Sequence, residues 1–383
     1  MKPFNIFTII GARPQFIKAA AVSHTIKNYR KFINETIIHT GQHFDFEMSE
    51  RFFKELDIPI PSLNLGIGGG THGENTGRMI EKIEKILIKN KPDGILVYGD
   101  TDSTLAAALA ASKLNIPIFH VEAGLRSHNR YQPEEQNRIL TDHLSDLCFC
   151  PTKLAITNLK KEGLPYERVV KTGDVMADAT RIYAESSCDE EKFLSNLNLE
   201  SKEFILLTIH REENTDDKKR LENILKMVNS IINKYKNDRL KIILPIHPRT
   251  NKRIAEYKFE NLIKKFIITD PLGFRDMILL EKHSKIIITD SGGIQKEAFF
   301  QRTPCVTIRS ETEWTELIES GWNILADPSN KDKIIDAINL QLNFDKTKDT
   351  KNFYGDGFAA DEIIKKIINY LDQLTKLLDD AFC

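Results

Sequence analysis

The segment Ile9–Val22, "IIGARPQFIKAAAV", decides the fold class. An apolar run with strand character reaches Gly11, and Pro14 then opens a helical stretch with Lys18 one turn in. A strand that hands over directly to a helix is the step from which parallel α/β sheets are built. This handover carries two cations, Arg13 and Lys18, and no acid. A helix N-terminus already favours anions, because its free N–H groups and its dipole point outward. The added cations make it a candidate site for a phosphate or diphosphate. The plain alternative is a proline-started helix with two solvated cations.

The same alternation continues in both directions. Strand-like runs fall at 4–11, 32–40, 94–100, 116–123 and 147–151, with helical periods at 14–29, 45–56, 72–90, 101–114 and 134–145. A polar stretch follows residue 180, and the alternation restarts with runs at 204–211, 241–248, 266–271, 285–292, 304–308 and 323–327 and a helix near 217–235. This pattern predicts two Rossmann-like domains with doubly wound parallel sheets, 1–180 and 181–383. A final helix at about 358–379 is expected to pack back across the junction. Two such sheets facing one another would leave a cleft at their strand C-termini, where α/β folds bind ligands.

Composition narrows the class. The 383 residues are 41% hydrophobic and 28% charged with a net charge of -1, so neither nucleic acid nor a membrane surface is implied. No apolar run approaches the roughly 18 residues of a membrane span, and the N-terminal apolar run reads as a strand rather than a leader. Five cysteines without framework or zinc spacing point to a reduced, cytoplasmic protein.

The polar residues fall in a telling place. Asp100, Glu122, His210, His247 and the pair Asp290–Ser291 each follow an apolar strand and precede a helix. A single residue there is ordinarily a helix cap; five at one edge of two sheets indicate a site. Glu134 and Glu135 lie in the first turn of a helix opened by Pro133, where the dipole favours acids without any function. Glu122 and Glu134 are nevertheless separated by one short loop, and paired carboxylates with a histidine suit proton transfer. In "ITDSGGIQKEA", Ser291 with the Gly292 and Gly293 amides can cradle a phosphate at a helix start, and Glu297 follows at a reach suited to a ribose diol. "GGGTHG" (68–73) contains G-x-G-x-x-G, but it follows only a weak strand and lacks a strand-ending acid downstream. It reads as a flexible loop rather than a dinucleotide fingerprint.

Seven segments, "GARPQFIKAA", "GDTDST", "HVEAGLRS", "PEEQNR", "HREEN", "IHPRT" and "TDSGGIQKEA", resemble in order and spacing the non-hydrolysing UDP-N-acetylglucosamine 2-epimerases. The resemblance spans roughly residues 4–370. It implies a GT-B type fold, UDP bound by the C-terminal half, a dimer, and a part in surface polysaccharide synthesis such as that of O-antigen. By position it implies Arg13 and Lys18 near the diphosphate and sugar, with Lys18 counted in the catalytic set beside Asp100, Glu122, Glu134 and His210. It further implies Ser291, Gly292 and Gly293 on the diphosphate, Glu297 on the ribose, and His247 and Arg249 in the nucleotide half. Several positions depart from the common pattern, namely Gln15 for an acid, Glu212 for an arginine, and Trp314–Thr315 in "TEWTE". These resemble the branch acting on UDP-2,3-diacetamido-2,3-dideoxy-glucuronic acid. Gln15 removes a negative charge, and His72, Arg78, His128 and Arg130 are candidates to meet the sugar carboxylate. An activator site near the Gln42–His43 loop, known in some members, is a further question for this chain.

The chemistry so implied is loss of UDP from C1 with proton removal at C2, a glycal double-bonded across C1 and C2, then protonation from the other face and return of UDP. It requires no metal and no redox cofactor. Three rivals stand beside it: a GT-B glycosyltransferase, a hydrolysing epimerase, and a non-catalytic nucleotide-sugar sensor.

Overall fold

In the computed structural model, residues 2–42, 53, 56–185, 189–234, 240–347 and 353–382 are described. The expected helix at 45–56 and His43 lie outside them, apart from Phe53 and Leu56, which are buried. The chain divides into two compact units, residues 1–179 with 352–383, and residues 180–351.

The first unit holds a seven-stranded sheet in the order β3-β2-β1-β4-β5-β6-β7. Its strands are β1 (Phe4–Ile10), β2 (Ile33–His39), β3 (Leu63–Asn64), β4 (Gly94–Tyr98), β5 (Ile118–Val121), β6 (Leu147–Cys150) and β7 (Val169–Lys171), and every pairing is parallel. The central strands are continuous apolar runs because helices cover both faces. Ile95, Leu96 and Val97 of β4 are all fully buried. On one face Ile9, Ile38 and Val97 pack with Met79, Ile83 and Leu87 of the helix His72–Asn90 and with the alanines of the helix Asp102–Lys113. The C-terminal helix Ala359–Phe382 belongs to this unit. Its start is capped by the Asp178 carboxylate, which accepts from the Ala359 and Ala360 N–H groups at 3.0 and 2.8 Å. Ile363, Ile364, Ile367 and Leu371 form its buried stripe at helical spacing.

The second unit repeats the architecture with six parallel strands in the order β10-β9-β8-β11-β12-β13. They are β8 (Phe204–Thr208), β9 (Lys241–Pro245), β10 (Ile267–Thr269), β11 (Ile286–Thr289), β12 (Cys305–Thr307) and β13 (Asn323–Leu325). Leu207, Ile242, Leu244 and Ile288 meet Leu221, Leu225 and Val228 of the helix Lys218–Lys234 in its larger core cluster. In each sheet the chain reverses its direction of winding at one place, between β1 and β4 and between β8 and β11. Those two switch points are where an open α/β sheet leaves a crevice at its strand ends. Among the described residues no helix is long and apolar enough to cross a membrane.

Candidate active site

At the first switch point, Lys18 and Glu122 meet. Lys18 lies one turn inside the helix Arg13–Ile26, and its ammonium donates to the Glu122 carboxylate just beyond β5. Both side chains are about nine-tenths buried, so the pair is only weakly screened. Glu122 has a φ of 69°, left-handed for a non-glycine residue. Such strain is stored where the surroundings over-determine it, and is common at functional sites. Beside it, Gly99 at the end of β4 has a φ of 62°. A Cβ at Gly99 would stand 3.3 Å from both the Lys18 ammonium and a Glu122 carboxylate oxygen, so glycine is what leaves room for the pair.

The Gly99–Asp100 turn is held from three sides. Gly99 N–H donates to Val121 O at 3.0 Å. Its carbonyl faces Nε2 of the fully buried His120 at 2.8 Å, and Nδ1 of the same ring lies 2.7 Å from the Asp142 carboxylate. Both ring nitrogens thus face acceptors. Burial works to raise Asp142, but the neighbouring His120 and the Arg126 guanidinium hold its carboxyl below the usual range. Asn137 donates to the Asp100 carbonyl at 2.9 Å and to Asp102 Oδ1 at 3.2 Å, and Asp102 Oδ2 holds Nδ1 of His72 at 2.8 Å. The Asp100 carboxylate accepts from Arg138 at 2.6 Å.

Arg138 also reaches Glu135 at 2.9 Å. Glu135 is buried and accepts from the Ser127 and His128 N–H groups at 2.9 Å each. Burial would raise its carboxyl, yet these three donors hold it below its ordinary value. Glu135 therefore shapes the 127–128 loop. Glu134 is exposed and, among the described residues, makes no side-chain hydrogen bond or ion pair. Of the acids at this edge, the structure gives Glu122 and Asp100 a cation each and leaves Glu134 open to solvent.

Just before the helix that starts at Arg13, two amides are taken up by Gln15. Its Oε1 accepts from Gly11 and Ala12 N–H at 2.8 and 3.0 Å, and its Nε2 donates to Tyr98 O and Thr104 Oγ1 at 2.9 Å each. Buried and fully bonded, Gln15 has no donor left for a sugar carboxylate, so its departure from the common acid does not act on substrate directly. Arg13, exposed at the same turn, is the cation that faces outward.

At the second switch point a buried acid organises the polar groups. Asp290, fully buried at the end of β11, accepts from the His210 and Arg211 N–H groups and from Asn214, all at 3.0–3.1 Å. It also lies 3.1 Å from Nδ1 of the His210 ring, whose side chain is 41% exposed. Burial would raise Asp290, but the ring and these N–H donors hold it below the usual carboxylate range. An Nδ1 hydrogen held by a carboxylate leaves Nε2 as the working nitrogen. The His247 ring lies 5.8 Å from that of His210 and caps the helix Pro248–Tyr257, accepting from Arg249 N–H at 3.2 Å. The Arg249 side chain is paired with Glu212 at 2.6 Å and Asp216 at 3.4 Å. The Glu212 that departs from the family pattern thus meets a cation of its own unit.

Ser291 caps the helix Gly292–Phe300 without a side-chain bond to it, and the Gly292 and Gly293 amides open that helix. Trp314 supports this turn from outside: its indole N–H donates to Gly292 O at 3.0 Å, and the Lys296 ammonium lies 4.3 Å over its ring. Trp314 is therefore a buttress of the glycine turn.

The model of the UDP-N-acetylglucosamine 2-epimerase family matches residues 25–368. The chain belongs to that family. It is 50% identical, over 95% of its length and 99% of the relative's, to a UDP-N-acetylglucosamine 2-epimerase homolog of Methanococcus maripaludis. It is 48% identical, over 97% of its length and all of the relative's, to the UDP-2,3-diacetamido-2,3-dideoxy-D-glucuronate 2-epimerase of Pseudomonas aeruginosa. The crystal structure of the Methanocaldococcus jannaschii UDP-GlcNAc 2-epimerase in complex with UDP-GlcNAc and UDP is similar with a TM-score of 0.80 and 42% identity, covering 96% of this chain and 99% of that one. The fold is GT-B in type, with two Rossmann-like units, and the protein is an enzyme of the isomerase class.

Sequence reasoning passed over Arg138, Asn137, Asp102 and His120 as parts of the site. Each stands inside a quoted motif, but its partner is 22 to 38 residues away. Local spacing could have found Glu135–Arg138, three residues apart on one helix; it could not have found Asp100–Arg138.

Proposed function

We propose that this family member epimerises C2 of UDP-2,3-diacetamido-2,3-dideoxy-glucuronate without hydrolysis, giving the manno epimer. The observation that carries the reading is the pair of carboxylates at neighbouring strand ends, Asp100 after β4 and Glu122 after β5, each set against a cation. With exposed Glu134, they are the groups that remove and return a proton at one carbon. The electron pair of the C2–H bond becomes the C1=C2 bond, and the C1–O bond breaks with its electrons going to the departing diphosphate. Arg13, Ser291 and the Gly292 and Gly293 amides receive that charge, the electrostatic term that dominates many such barriers. His210, aimed by Asp290, steadies or protonates the leaving phosphate through Nε2. Reversal with protonation from the opposite face inverts C2.

The finer substrate assignment is supported by the 48% identical relative and by His72. Of the four residues considered for the sugar carboxylate, His72 is tied to the catalytic frame by its side chain, through Asp102 and Asn137 to the Asp100 carbonyl, and His128 by its backbone N–H, through Glu135 and Arg138. Arg78 lies 3.7 Å from Glu74 on the same helix, and His128 and Arg130 are exposed loop residues. The second reading is UDP-N-acetylglucosamine as substrate, favoured by the names of the Methanococcus maripaludis and Methanocaldococcus jannaschii relatives.

A proton NMR time course with each UDP-sugar alone, run in deuterated water, decides between them. Epimerisation with deuterium entering at C2 and the sugar–diphosphate bond intact by phosphorus NMR is the expected result. No reaction without an acceptor would indicate a transferase, and free sugar a hydrolysing enzyme. His72→Gln should lower kcat/KM about tenfold for the uronate, the loss of one charge-assisted contact, and leave the neutral sugar unchanged. The reading includes a cytoplasmic homodimer, which light scattering of the purified chain would test.

A further inference from the structure

One buried acid is used by neither the fold's hydrogen-bond ladders nor the chemistry above. Glu281, on the helix Phe274–His283, is fully buried, and no N–H or hydroxyl among the described residues donates to either carboxyl oxygen. The local backbone is otherwise satisfied: Glu281 O accepts from Ser284 Oγ at 3.1 Å and from Thr303 Oγ1 at 2.8 Å. The polar group that its carboxyl does meet is another carboxyl, that of Glu297 on the helix Gly292–Phe300, itself only 8% exposed.

Two carboxyls in contact away from water do not both ionise; they share one proton, which sits on the more deeply buried partner. Burial first, then the charge of Glu297 and the hydrogen bond between them, push Glu281 well above the usual carboxylate range. The Glu281 O–H is then the donor and Glu297 the charged acceptor. Glu297 in turn points towards the glycine turn: a Cβ at Gly293 would lie 3.6 Å from Glu297 Oε1 and 4.0 Å from Ser291 Oγ. Its carboxylate therefore borders the turn proposed above for the diphosphate. A vicinal diol, with two O–H donors, needs a carboxylate fixed in this way.

We propose that Glu281 is a positioning residue for nucleotide recognition, its carboxyl hydrogen holding the Glu297 carboxylate in the plane that accepts the ribose 2′- and 3′-hydroxyls. The inference rests on the reading of Glu297 as the ribose contact, and the experiment separates the two. Titration calorimetry of the full chain with UDP and with 2′-deoxy-UDP measures the preference for the intact diol. Glu281→Gln keeps a donor towards Glu297 and should keep that preference. Glu281→Met, of similar size with no donor, should weaken UDP about tenfold while changing 2′-deoxy-UDP little. Glu297→Ala should abolish the preference.

If Glu297→Ala keeps the preference, the ribose reading fails and the inference with it. If Glu297→Ala loses it while folded Glu281→Met keeps it, the inference about Glu281 alone is overturned. Infrared difference spectroscopy at neutral pH gives a readout independent of how well the methionine variant folds. The C=O stretch of an un-ionised carboxylic acid should be present in the wild type and absent from Glu281→Gln, and its absence from the wild type would overturn the proposal.

Discussion

The two switch points share a sheet topology and differ in how their polar groups are satisfied. In the first unit, side chains answer polar groups: Lys18 meets Glu122, Arg138 meets Asp100, and Gln15 takes up the Gly11 and Ala12 amides just before the first helix. In the second unit the helix start at Gly292 makes no side-chain cap bond, and the buried Asp290 gathers backbone amides and one imidazole. On the proposed function, one edge exchanges protons and the other receives an anion. A Gln at the third helical position satisfies the two N–H donors just before its helix; a Gly-Gly start without a capping side chain offers its own amides to a ligand.

The largest effect expected from this contrast is at Glu122. Glu122→Gln should lower kcat by about 10²–10⁴-fold, the usual contribution of an acid–base group, with the affinity for UDP measured by calorimetry unchanged. A matching loss of UDP affinity would merge the two edges into one function. Next is Asp290→Asn, which takes the charge from the His210 partner and should cost about 10–100-fold in kcat, the range for a group that orients a working residue.

The same variant tests the pH behaviour. Because the native Asp290 is held below its unfolded value, its contribution to stability is present above the unfolded value and lost as pH falls through the native one. The gap in melting temperature between wild type and Asp290→Asn should therefore narrow below roughly pH 4. A gap that stays constant there would mean that Asp290 is not ionised in the native state.

Gly293→Ala separates folding from binding. The new methyl meets ordinary contacts, 3.6 Å from Glu297 Oε1 and 4.0 Å from Ser291 Oγ. Thermal stability should hold or rise, by up to about 1 kcal/mol for alanine over glycine in a helix. UDP affinity should fall about tenfold as the methyl crowds the anion. The smallest effect is predicted for Gln15→Glu. A carboxylate keeps the Gly11 and Ala12 bonds but cannot donate to the Tyr98 carbonyl, so a loss of about 1 kcal/mol is expected in denaturant unfolding. A gain of activity towards the neutral sugar instead would return Gln15 to the substrate.

Much of this molecule was legible in the order of its residues. Apolar runs ending in Gly or Asp and followed by helical periods indicate parallel sheets, and the strand ends at Asp100, Glu122, His210 and Asp290 mark the candidate edges, because strand period and helix period are local properties of the chain. The short edge strands β3 and β7 escaped notice, since two or three residues carry too little alternation to read. What only the tertiary structure decided is which acids are buried under donors or paired with a cation and which stand open to solvent. Glu134 and Glu135 are adjacent and identical in type, yet one is exposed and the other is buried under three donors. Gln15 and Glu281 likewise take their meaning from residues brought to them by other strands and helices. The energy of an ionisable or amide group depends on its partners and on its distance from water, and both are set by packing between distant segments rather than by neighbours along the chain.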